Sequence, residues 1–77
     1  MFIEAVKKAN DTAASTTELV DQVAALAGLS LELTDWAPQL ASDWKVTTYL
    51  VTAIIDGEVT SDDEADQWLV DNMRTSA

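Results

Sequence analysis

Val46-Thr47-Thr48-Tyr49-Leu50-Val51-Thr52-Ala53-Ile54-Ile55, closed by Asp56-Gly57, is the stretch on which the fold of this chain turns. Its Val, Thr, Tyr and Ile residues favour a strand, and Asp-Gly is a hairpin-turn signal. A hairpin needs a returning strand, however. Only Glu58-Val59-Thr60 stands before Ser61-Asp62-Asp63-Glu64, which has the S-x-x-E spacing of a helix capping box. Tyr49 or Leu50, Ala53 and Ile54 suit one helical face, with Gly57 as the stop that follows. The helical reading prevails, and the chain is predicted to be all-α.

Downstream, a last helix is expected over about 62–74, with Ala65, Trp68, Leu69 and Met73 as its apolar stripe. Asp62, Asp63 and Glu64 fall in its first turn, where the helix dipole favours anions, and Arg74 falls in its last. Upstream, Ser15-Thr16-Thr17-Glu18 forms another capping box, with Ser15 accepting from the third helical amide and Glu18 reaching back to the Ser15 N–H. Leu19, Val20, Val23, Leu26 and Ala27 then repeat at helical spacing up to Gly28, read as a left-handed stop. Phe2, Val6, Ala9 and Ala13 carry the same stripe backwards. The short polar residues of 10–17 compete for backbone hydrogen bonds. They favour a separate first helix over about 2–12, with one continuous helix over 2–27 as the alternative.

Leu29-Ser30-Leu31-Glu32-Leu33-Thr34 alternates apolar and polar residues and reads as an extended connector laying three leucines across the core. Thr34 or Asp35 would cap a short helix that carries Pro38 in its first turn. Trp36, Leu40 and Trp44 would share one face of it. The expected architecture is a compact bundle or orthogonal array of about four or five short helices, with residues 1–77 as a single domain.

Fourteen acids oppose four bases, for a formal charge of −10, with no His and no Cys. Broad binding to a phosphate backbone requires cations that displace counterions, so direct nucleic-acid binding is excluded. Basic protein surfaces are the attractive partners. Disulfides and zinc sites are absent from the available chemistry. No run of about 20 apolar residues is present, so no membrane-spanning helix is expected. Lys7 and Lys8 follow Phe2-Ile3, the reverse of a secretory leader. A cytoplasmic or virion-associated location is the resulting expectation.

Asp56 to Glu64 looks locally like the second half of a calcium-binding EF-hand loop. With Gly57 at the sixth loop position, Thr52 and Ile54 would occupy the first and third, where oxygen ligands are required. No metal or other cofactor is expected. With neither His nor Cys, and no glycine-rich phosphate loop, an enzyme is not expected either.

Seven acids and no base lie between Asp56 and Asp71. Such a run is commonly a solvated face. Its functional alternative is a row of carboxylates that imitates the charge density of a nucleic acid, with Glu58, Asp62, Asp63 and Asp66 exposed to a partner's Lys and Arg. Trp36 beside Asp35, and Trp44 beside Asp43, could each hold a cation by cation–π contact and charge. Trp68 is read as core. Phe2, Val6 and Val20 are candidates for the seam of a homodimer. The function expected from these features is a non-enzymatic, protein-binding inhibitor or regulator that occludes a basic, nucleic-acid-binding surface. In size and charge the chain resembles small anti-defence proteins of phages, a likeness of build and not of motif. The alternative is a small structural subunit of a virion or homo-oligomer whose acidity only serves solubility.

Overall fold

A computed structural model describes residues 2–74. Among them the protein is all-α and contains no strand. The helices are α1 (Phe2–Thr12), α2 (Thr16–Leu29), α3 (Ala37–Ser42), α4 (Trp44–Ile55) and α5 (Asp62–Leu69). A 3₁₀ turn, Thr34–Trp36, leads into α3, and a π-helical turn, Val70–Arg74, continues α5.

The serine caps work as their spacing predicts. Ser15 and Ser61 are both extended, and each hydroxyl accepts from the amide three residues on, Glu18 N and Glu64 N, at 3.2 Å. The break before Ser15 therefore separates α1 from α2. The reciprocal carboxylates reach one residue further back than expected. Glu18 Oε2 accepts from Ala14 N at 2.9 Å, and Glu64 Oε1 accepts from Thr60 N at 2.7 Å. Helix α4 is the 44–55 segment, and Gly57 follows it at φ 85°, in the left-handed region.

The structure corrects the sequence reading at five places. Gly28 is not a stop: α2 runs through it to Leu29, and extended Ser30 closes the helix by donating its N–H to Ala27 O at 3.1 Å. No left-handed residue is needed there. The 29–34 connector is coiled instead of extended, with Leu33 N bonded to Ser30 O and Trp36 N to Leu33 O. Side chains along such turns do not alternate between two faces. Leu33 alone reaches the core, while Leu29 and Leu31 are 84% and 96% exposed.

Trp36, Leu40 and Trp44 do not share a helix. Asp43 (φ −116°, ψ 83°) interrupts it, ending α3 and capping α4 through Oδ1, which accepts from Val46 N at 3.1 Å. The side chains of Thr34 and Asp35 cap neither the 3₁₀ turn nor α3, though Pro38 does sit in the first turn of α3. The corner at Asp43 is locked from inside by Thr47. Its buried hydroxyl lies 2.7 Å from Leu40 O and 2.9 Å from Asp43 O, tying the end of α3 to the first turn of α4.

Phe2, Val6 and Val20 are buried, so they cannot form an outward seam. α1 and α2 spend their apolar faces on the shared core. That core is mostly aliphatic: Val6, Val23, Leu33, Leu40, Leu50, Ile54 and Leu69 are fully enclosed. Trp36 and Trp68 are half-buried and pack against its margin.

The two glycines should respond oppositely to alanine. A Cβ on Gly28 would meet Ala37 Cβ at 3.7 Å, an ordinary contact, inside a helix. Gly28→Ala should therefore stabilise by about 0.5–1 kcal/mol. Gly57→Ala meets no neighbour but must hold a positive φ, and should cost about 1–2 kcal/mol. Urea unfolding of both variants checks the signs. Destabilisation by Gly28→Ala would restore the left-handed stop.

Candidate functional site: an acid-lined cleft beside Trp36

Helix α5 and the coiled connector are joined by carboxylates. The Ser30 hydroxyl lies 3.1 Å from Asp62 Oδ2, and Trp36 Nε1 donates to Asp66 Oδ1 at 2.7 Å. Asp62 and Asp66 stand one turn apart on α5, so a single helical face takes donors from both ends of the connector. A hydrogen bond to a charged acceptor is stronger than one between neutral groups. Asp62 Oδ1 is buried and lacks a hydrogen-bond partner among the described residues.

This seam frames a cavity of about 550 Å³ lined by Glu32, Asp35, Trp36, Gln39, Asp66, Val70 and Met73. Each lining residue follows from local structure. Glu32 comes from the turn after α2, Asp35 and Trp36 from the 3₁₀ turn, and Gln39 from α3. Asp66, Val70 and Met73 continue one face from α5 into the π turn. Three carboxylates and a half-buried indole thus line one cleft. The Asp66–Trp36 bond anchors the indole N–H, and Val70 and Met73 add apolar lining.

The residues singled out from sequence separate into distinct places. Trp36 and Asp66 come together in the cleft. Asp62 and Asp66 are half-buried, where exposure was expected, because both are acceptors for the connector. Glu58 and Asp63 are exposed, as the charge run suggested, but do not line the cleft. Asp35 and Trp36 line the cleft together, whereas Asp43 does not line the Trp44 cavity. The Trp36 N–H goes to Asp66, and Asp43 is half-buried and caps α4. Exposed Trp44 lines a separate cavity of about 490 Å³ with Thr16, Thr17, Val20, Asp21, Ala41 and Ser42.

Glu32, Gln39, Val70 and Met73 were not anticipated as site residues. Glu32, Asp35 and Trp36 do have i, i+3, i+4 spacing, which signals a common side once the connector is read as coiled. The contribution of α5 has no local signal. Among the described residues, no cluster of three or more potential metal ligands occurs. Thr52 and Ile54 lie within α4 and not in a loop, so the EF-hand-like stretch has no loop geometry in its first half.

No protein-family model, no curated protein and no solved structure matches this chain. No helix among the described residues is long and apolar enough to cross a membrane.

The Glu64 carboxylate has two donors from Thr60. The Thr60 hydroxyl, and then the Thr60 amide, hold the exposed Glu64 carboxyl below its ordinary value of 4.5. A carboxylate with a lowered folded pKa adds stability above its unfolded pKa, and that stability is lost as pH falls through the folded value. Glu64→Gln keeps an acceptor but cannot titrate. Below about pH 4.5, its melting temperature should fall less steeply with acid than that of the parent. Parallel pH profiles would remove Glu64 from the acid response.

Proposed function

We propose that the protein is a non-enzymatic binding module that occludes a basic surface of a partner protein, with the Trp36 cleft as the place where a cationic side chain enters. The observation that carries this reading is that Glu32, Asp35 and Asp66 line one cleft with an indole whose N–H is anchored on Asp66. A guanidinium offers donors to carboxylates and a flat face to an aromatic ring, so it fits such a site better than a neutral group does. Exposed Glu58 and Asp63, together with the overall charge of −10, would steer a basic partner towards the protein before contact. Surfaces that hold nucleic acid are the commonest source of dense Arg and Lys, which is why an inhibitor of a nucleic-acid-binding protein is the preferred form of the reading.

An arginine-rich peptide serves as the probe, with binding followed by calorimetry at low and moderate salt. Glu32→Gln with Asp35→Asn removes two cleft charges and leaves the Trp36–Asp66 bond in place. It should weaken binding about tenfold, as expected for two partly screened charge contacts. Glu4→Gln with Asp21→Asn makes the same change in net charge elsewhere and should have a much smaller effect. Equal losses from both pairs would mean that only overall charge matters, and the cleft would lose its role. A lysine-rich peptide of equal charge should bind more weakly, since it cannot stack on the indole in the same way.

A further inference from the structure

Helix α4 differs from the rest of the surface. Residues 44–55 contain no carboxylate and form the longest acid-free stretch of the chain, ahead of residues 22–31. Its inner face, Thr47, Leu50, Val51, Ala53 and Ile54, is buried in the core. Its outer side leaves three large apolar side chains open, Tyr49 (56% exposed) near its middle line and Trp44 (63%) and Ile55 (46%) along one margin. The threonines between them add little demand for water. Thr48 Oγ1 donates to Lys45 O at 2.9 Å, and Thr52 Oγ1 to Thr48 O at 3.0 Å.

The charges on this face sit at its two ends. At about 100° per residue, Lys45, Tyr49, Thr52 and Asp56 fall in one narrow line along the helix. Lys45 opens the line and Asp56 closes it, about 16 Å away. Two copies laid antiparallel across this line would place Lys45 of each beside Asp56 of the other, with Tyr49 and Thr52 near the axis. That is the self-complementarity an isologous two-fold contact requires. The other exposed apolar pair, Leu29 and Leu31, does not offer it. Glu32 is next in sequence and Asp62 shares a cavity wall with Leu29, so a two-fold contact there would bring carboxylates together.

We infer that the outer face of α4 is the seam of a symmetric homodimer, with a second copy of this chain packed antiparallel across Tyr49. The inference is carried by α4 alone and does not rest on the cleft. A single 12-residue helix per copy makes a small interface, so the dimer is weak and dependent on concentration. Two bodies of charge −10 repel at long range, so added salt strengthens it.

Sedimentation equilibrium over a concentration series, at low and high salt, tests the seam. The apparent mass should climb from 8.3 kDa towards twice that value, and sooner at high salt. Tyr49→Glu, checked for helicity by circular dichroism, should remain monomeric. Lys45→Glu and Asp56→Lys should each weaken association about tenfold, since each makes both end pairs repulsive, and the double reversal should restore it. Asp56→Lys is decisive because it moves the net charge by +2, from −10 to −8, which would strengthen a dimer governed by overall charge alone. A monomer at every concentration and salt overturns the inference. So does a dimer that Tyr49→Glu leaves intact, and failure of the double reversal to restore association overturns the antiparallel register.

Discussion

The structure is governed by a shortage of cations. Fourteen carboxylates share a small body with four basic side chains, so most of them cannot be satisfied by ion pairs. Several of them are met by neutral donors instead. Backbone amides serve Glu18, Asp43 and Glu64; an indole N–H serves Asp66; a serine hydroxyl serves Asp62. In each case a group that helix formation or burial would leave short of a partner is paired with a charged acceptor, which strengthens the bond. The acids therefore define helix starts and the connector seam, and are not merely scattered over a finished surface.

The core can be simple because of this arrangement. It is built from Val, Leu, Ile and Ala, with little aromatic content, and its one buried polar side chain is Thr47 among the described residues. That hydroxyl sits at the corner where α3 gives way to α4. Together with the Asp43 cap it turns the chain sharply, so that α4 can bury one face against α1 and α2 while its other face points outward. The same corner keeps Trp44 apart from Trp36 and leaves each in a different setting.

Charge is consequently sorted by element. The connector and α5 gather the acids around Trp36, and α4 carries none. A small protein with an acid-rich side and a helix face charged only at its two ends, Lys45 and Asp56, is suited to two contacts of different chemistry.

Much of the fold was legible in the sequence because the deciding signals are local. The S-x-x-E spacings at Ser15 and Ser61, the 3–4 periodicity of α2, the left-handed Gly57 and the missing return strand after Ile55 each act within a few residues, and each led to the observed helix. Where local signals conflicted, tertiary contacts decided. The alternation of leucines from 29 to 33 suggested an extended strand, but backbone turns, and the bonds from Ser30 and Trp36 to α5, coil the segment so that only Leu33 is enclosed. Gly28 resembled a stop, yet Ser30 ends α2 without one. The acid run of α5 was plain in the sequence; that Asp62 and Asp66 would be drawn inward was not, because their donors lie about thirty residues away. The pairing of an indole with a carboxylate was readable as a tendency of composition. Which carboxylate it would be depended on how α5 lies against the connector, and no spacing along the chain encodes that.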